Sequence, residues 1–501
     1  MATRTPYSLG CHACRRMKVK CDEKKPQCGR CAKARRLCPG YPDTKQVIFR
    51  SVNEGLASKG KAARPLRTRT HNTSAASDHA GDLASDSCIP QLLAQPSEAW
   101  DTRAISHFLY HYTSSATKDS SGYLGFLSDL LSNSPSVPYL KSAVLAAGSA
   151  SLANITGLVY LQITAEKHYG ETLRCISSAL KNPLEASSDA TLVAIIILQM
   201  YEVIVGITRV SCDPHQKGLV ELSRIRGNAR LGTRNDNALL QVIHGRVHTN
   251  AIGGLCPSPI NMDYDVKRVD IALHEAELWR LMRKTSQCCV ATWTMISVPS
   301  YEISSNEVIK SIDNLYSTYH GLLNWRKTLP SIWSYQSCEM PSRDAQPGTI
   351  YPEKYHLFKN IHHGAMWISF WCTVVYALQV LVHASSLPIL EQCLNQDQYS
   401  IQDLQRRLYS AVDDICACVP YMLGDVDRLG LPVVGKDGKA LGAYFLLRGL
   451  YVASCVEELT DLQREYMMTT FLRIAHGKGI KLALRPRNRW LNRQQRDEMV
   501  R

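Results

Sequence analysis

Six cysteines crowd the stretch from Cys11 to Cys38, and no other feature constrains the chain as tightly. Cys11, Cys14, Cys21, Cys28, Cys31 and Cys38 are separated by two, six, six, two and six residues, so that C-x2-C-x6-C occurs twice with a period of 17. Thiolates select zinc, which takes four ligands in a tetrahedron. One ion would leave two thiols idle. Two ions need four bonds each, which six cysteines supply only if two sulfurs bridge. The repeat makes the leading cysteine of each half, Cys11 and Cys28, the bridging pair. One ion then takes Cys11, Cys14, Cys21 and Cys28, and the other Cys28, Cys31, Cys38 and Cys11. Neither keeps an open position, so the expected role of the two Zn2+ is structural and not catalytic.

A disulfide framework is the competing reading. The other twelve cysteines are scattered without a framework, and the opening MATRTPYSLG has no apolar signal segment. That combination points to a reduced compartment.

Charge gives the module a partner. The formal net charge is +14, and residues 1–70, with 18 Lys/Arg against 4 Asp/Glu, hold all of it. The remainder carries 40 of each sign. A polyanion is therefore expected at the N-terminal end. Each C-x2-C suits a helix start, where backbone N–H groups favour thiolate. A short helix over Cys14–Lys20 would present Arg15, Arg16, Lys18 and Lys20 together, and Lys33, Arg35 and Arg36 would add a second cationic face. A module of this size has too little core to fold without its metal.

The chain then divides by composition into a tail (1–10), the cysteine module (11–40), a basic, Ser-rich flexible linker (41–95) and a body (96–501). Within the linker, Lys59, Lys61, Arg64, Arg67 and Arg69 form a spaced basic run that suits nuclear import or further phosphate contacts. It has no heptad pattern, so a homodimer would have to form through the α-helical body. The body reads as all-α, with helices expected over Asp101–Tyr112, Tyr139–Ile155, Asp213–Arg226, Asn237–Ala251, Asp270–Lys284, Asn306–Lys327, Glu353–Ala384, Ile401–Val419 and Leu441–Leu472, and a soft divide near Pro330–Pro352. Ala165, Tyr169, Leu173, Ile176 and Leu180 recur at helical spacing. Asp189 or Ser188 should cap a nearly all-apolar helix reaching Gly206. Met366–Val382 is uncharged and at the lower limit of a bilayer span. Its Ser369, Thr373 and Gln379 favour a buried helix, and no membrane partner is expected.

The sequence C-x2-C-R-R-M-K-V-K-C-D, followed by K-P-x-C-x2-C-x6-C, closely resembles the fungal binuclear zinc-cluster (Zn2Cys6) transcription factors. Ala165-x3-Tyr169-Gly170-x2-Leu173 through Ala179-Leu180, and His215-x2-Gly218-x3-Leu222-x3-Arg226-Gly227, resemble the fungal-specific transcription factor domain. The resemblance implies a nuclear regulator of RNA polymerase II genes that binds double-stranded DNA at CGG-type sites. The end of the first short helix would enter the major groove, with Lys18 touching base edges, and a large all-α regulatory domain would meet coregulators or the transcription machinery. Met17 stands at a position often basic in that family, and Cys212 stands where a Trp is common. Two other classes of function fit the residues less well. An enzyme tethered by its zinc module finds no Gly-rich phosphate loop, H-E-x-x-H or G-x-S-x-G here, and the His356, His362 and His363 group lacks a carboxylate or thiol at ligand spacing. An RNA scaffold lacks aromatic residues interleaved with the basic ones.

Overall fold

A computed structural model of the chain falls into two compact units, Met1–Gln91 and Leu92–Arg501. The residues it describes are 13–14, 19, 21–22, 28–34, 38, 99–117, 122–134, 137–207, 214–226, 234–251, 273–297, 305–340, 351–386, 400–433 and 438–486.

In the first unit one helix is described, α1 (Gly29–Lys33). The buried residues there are Cys14, Cys28 and Cys31, with Ala13, Val19, Cys21 and Cys38 packed against them. Sulfur takes the place of an aliphatic core.

The second unit begins with α2 (Trp100–Tyr112), α3 (Leu127–Asn133), α4 (Pro138–Thr156), α5 (Val159–Ala179), α6 (Pro183–Ala186), α7 (Asp189–Val205), α8 (Pro214–Arg226), α9 (Arg234–Ala251), α10 (Leu273–Ile296) and α11 (Ser305–Thr328). A hairpin of β1 (Gln336–Glu339) and β2 (Lys354–Leu357) follows, antiparallel, with Ser337 opposite His356. The remaining α-helices among the described residues are α12 (Ile361–Ser385), α13 (Ile401–Ala417), α14 (Val419–Leu423), α15 (Ala440–Ser454) and α16 (Asp461–Leu472).

Two helices act as hubs. One is α4, rich in Ala and Ser and buried along most of its length, which packs against α2, α5 and α7. Small residues allow this closeness: a Cβ on Gly148 would lie 2.2 Å from the Ala104 carbonyl oxygen of α2. The other hub is α12, which touches α10, α11, α13 and α15. It is long and apolar enough to cross a bilayer, yet 72% of its most apolar window is buried inside the protein. Trp367 and Trp371 are among the largest fully buried side chains, so this helix serves as a core element.

Most helix expectations hold to within a few residues. Ser188, not Asp189, caps α7, accepting from the Thr191 amide at 3.2 Å, and Gly206 ends the helix at φ 82°. Four expectations are corrected. The helix expected over Asp270–Lys284 runs on to Ile296. Glu353–Ala384 is not one helix: Lys354–Leu357 is a strand, and Asn360 starts α12 by accepting from the His363 amide at 2.9 Å. Leu441–Leu472 is two helices, because Thr460 and Gln463 form a capping box that opens α16. The divide near Pro330–Pro352 does not separate units, since Leu92–Arg501 is one.

Candidate metal centre and nucleic-acid interface

The module's geometry is set by Cys28. Its backbone is extended (φ −68°, ψ 138°), and its Sγ accepts from the Cys31 amide at 3.2 Å, so the sulfur serves as N-cap of α1. A helix N-terminus favours a thiolate there. The Asp22 carboxylate adds a second contact at the same helix start: the Gly29 amide donates to Asp22 Oδ2 at 2.9 Å. A Cβ on Gly29 would lie 2.5 Å from that oxygen, so a larger residue there would make the Asp22 carboxylate shift away from the helix start. The residue that follows the first C-x2-C-x6-C half is thereby pinned to the first turn of the second. In the first half, Ala13 and Cys14 are helical, and the Val19 amide donates to the Cys14 carbonyl at 3.0 Å.

Two groups of ligand atoms result, each with all its members within 4.8 Å of one another. One joins Cys14, Cys28 and Cys31, and the other joins Cys21, Asp22 and Cys28. Cys28 belongs to both. The Cys14 and Cys28 sulfurs are 3.9 Å apart. That is nearly twice a disulfide bond of about 2.0 Å. It is close to the ~3.8 Å between two sulfurs on a tetrahedral zinc with Zn–S of about 2.3 Å. Buried, clustered and unbridged sulfurs fit thiolate coordination of zinc and do not fit a disulfide framework.

Of the residues picked out by sequence, Cys14, Cys21, Cys28, Cys31 and Cys38 are thus gathered in one cluster, with Cys38 packed against the buried sulfurs. Lys33 is exposed at the end of α1. Cys11, Arg15, Arg16, Lys18, Lys20, Arg35 and Arg36 lie outside the described residues, as do Lys59, Lys61, Arg64, Arg67 and Arg69. Two residues escaped sequence reasoning. Asp22 closes the C-D of the first motif, but an acidic residue in a basic module suggests no role of its own until its helix-capping contact is seen. Arg30 is exposed three residues before Lys33, on the same face of α1, and that i, i+3 spacing was the available signal.

In the body, the motif residues turn out to be joints between helices. Glu202 of α7 is buried, accepts from the Tyr169 hydroxyl of α5 at 2.9 Å and pairs with His215 Nε2 of α8 at 3.4 Å. Arg226, at the end of α8, pairs with Asp189 at the start of α7 at 2.5 Å. Tyr169, His215 and Arg226 therefore clamp α5 and α8 onto the apolar α7. Cys212 and Gly227 lie outside the described residues. The histidine group finds its carboxylates far along the chain: His356 Nε2 meets Asp414 at 3.1 Å, and His362 meets Glu275 at 3.1 Å. His356 also shares a 3.1 Å hydrogen bond with Ser337 across the hairpin. The imidazole is buried beside Tyr335 and Trp371, and Lys354 holds the same Asp414 oxygen at 2.8 Å. This network pins β2 to α13.

Comparison with known proteins agrees with this geometry. Residues 9–47 match the fungal Zn(2)-Cys(6) binuclear cluster domain, and residues 103–247 match the fungal specific transcription factor domain. The chain carries the domain pair of the fungal binuclear zinc-cluster transcription factors. The first of these domains binds two zinc ions. The transcriptional regulatory protein moc3 of Schizosaccharomyces pombe is 39% identical over 66 residues, 13% of each chain. The peroxisome proliferation transcriptional regulator of Saccharomyces cerevisiae is 39% identical over 69 residues, 13% of this chain and 7% of its own. The sterol uptake control protein 2 of Candida albicans is 28% identical over 94 residues, 19% of this chain and 13% of its own. The similarity thus spans a small fraction of each relative. No solved structure matches the chain.

Proposed function

We propose that the protein is a zinc-dependent, sequence-specific DNA-binding regulator of RNA polymerase II genes that reads CGG-like sites in the major groove. The observation that carries this is the sulfur cluster built on Cys28, shared by two ligand groups, in the one part of the chain that holds all the net positive charge. In this reading Cys11 and Cys28 bridge two zinc ions, and Cys14, Cys21, Cys31 and Cys38 complete them. Six thiolates with two zinc ions lower the local charge by two and leave residues 1–70 strongly basic. Lys18 donates to guanine O6 and N7, while Arg15, Arg16, Lys20, Lys33, Arg35 and Arg36 contact phosphates. Arg30 joins Lys33 on the second cationic face.

Residues 11–40 are the reader, 41–95 the linker with its nuclear-import run, and 96–501 the regulatory body, which meets coregulators and supplies any homodimer contact. The protein acts in the nucleus and performs no catalysis. The test is competition binding of the full chain to a CGG duplex, an unrelated duplex, single-stranded DNA and RNA. The proposal expects preference for the CGG duplex and an affinity that falls as salt rises. Lys18→Ala should flatten the preference, and Lys33→Ala should weaken all duplexes alike. Equal affinity for all four nucleic acids would refute it.

A further inference from the structure

Asp22 is the one acidic side chain among the described residues of the zinc module, and its surroundings are unusual for a carboxylate. Residues 1–70 are rich in Lys and Arg, yet no Lys or Arg among the described residues pairs with it. Its Oδ2 accepts from the Gly29 amide at 2.9 Å. Its nearest charged company is sulfur: the ligand atoms of Cys21, Asp22 and Cys28 all lie within 4.8 Å of one another. Zinc ligation requires those sulfurs as thiolates. A carboxylate that close to two thiolates is repelled by both unless a cation sits among them.

The chemistry and the spacing suit zinc. Carboxylate oxygen is an ordinary zinc ligand at about 2.0–2.2 Å, beside thiolate at about 2.3 Å. Tetrahedral angles then place an oxygen and a sulfur about 3.5 Å apart, so a movement of about 1 Å completes the approach. One carboxylate oxygen can stay on the Gly29 amide while the other turns to the metal. Exposure matters as well. Cys14, Cys28 and Cys31 are buried, whereas Cys21 is half-buried and Asp22 is exposed. Cys21 is thus a sulfur that solvent can reach, and the residue that follows it carries a second zinc-binding group.

We propose that Asp22 is a reserve ligand for the zinc ion shared by Cys21 and Cys28, taking the place of the Cys21 sulfur when that sulfur leaves the metal. The six cysteines fill both tetrahedra, so Asp22 is not needed while all of them hold. Once Cys21 is lost, an anionic oxygen replaces an anionic sulfur, and the charge and ligand number of the site are kept. The inference rests on the two-zinc ligand assignment given above and not on which DNA sequence the module reads.

The experiment counts zinc by native mass spectrometry and follows its transfer to a competing chelator, on the full-length protein. The parent chain should hold two ions; one ion would overturn the ligand assignment, and this inference with it. Cys21→Ala should still hold two and release one of them at least tenfold faster than the parent. Cys21→Ala/Asp22→Asn should hold one at the same free zinc concentration. Asparagine keeps an oxygen for the Gly29 amide but lacks the charge for zinc, so the pair of variants separates ligation from the helix cap. Asp22→Asn with all six cysteines present should hold two ions and release zinc about threefold faster, and it decides the matter if Cys21→Ala does not fold. With two ions in the parent, equal zinc content and release rate in Cys21→Ala and Cys21→Ala/Asp22→Asn would overturn the inference alone, as would an Asp22→Asn release rate equal to the parent's, and Asp22 would be left as a helix cap.

Discussion

Acid should destabilise the body through two histidines on α9. His244 and His248 lie one turn apart, both are buried, and both ring planes face Trp279 at 5.7 Å. None of their four ring nitrogens has a hydrogen-bond partner. Burial pushes the His244 pKa down to about 4. Burial, then the neighbouring charges of His244 and Arg283, pushes that of His248 down to about 3. An unfolded histidine titrates near 6.5. Between the folded and unfolded values the unfolded chain binds more protons, so stability is full above about pH 6.5 and falls as the pH drops below it. Linkage gives a loss of about 2 kcal/mol for each residue between pH 8 and pH 5, or about 4 kcal/mol together. That is a large share of the 5–15 kcal/mol typical of a domain. Urea unfolding followed by helical circular dichroism at the two pH values measures it. The double variant His244→Phe/His248→Phe keeps ring-shaped packing but cannot titrate, so it should lose about 4 kcal/mol less than the parent. An equal loss in both proteins would refute the reasoning.

Other perturbations test other joints. Glu202→Ala removes the shared partner of Tyr169 and His215 and should cost about 2–4 kcal/mol in urea unfolding, with Glu202→Gln, which can still accept from Tyr169, costing less. Thr460→Ala breaks the capping box of α16 and should cost about 1 kcal/mol by the same measurement. Gly29→Ala forces a Cβ against Asp22 and should speed zinc loss to a competing chelator, with helical content of the body unchanged.

The zinc module was legible because metal ligation is written in local spacing: the two half-repeats announce the metal. Asp22 was hidden because its partner, the Gly29 amide, is a backbone group that only the fold brings near. Most helices in the body followed from apolar period and caps. The strand at Lys354–Leu357 did not, because three of its four residues, Tyr355, His356 and Leu357, are buried in a row, and an apolar run that short cannot be assigned to strand or helix by period. The Thr460-x2-Gln463 pattern could have split Leu441–Leu472 in advance. The pairs that join helices were out of reach. Tyr169 and Glu202 are 33 residues apart, and Arg246 and Tyr444 are 198 apart, so only tertiary structure brings them together.

Native mass spectrometry of the full chain with a CGG duplex tests the central claim most directly. Two zinc ions per chain in every duplex-bound species, and no duplex-bound species after zinc is stripped, is the predicted result. One zinc per chain, or duplex binding that survives complete removal of zinc, would contradict it.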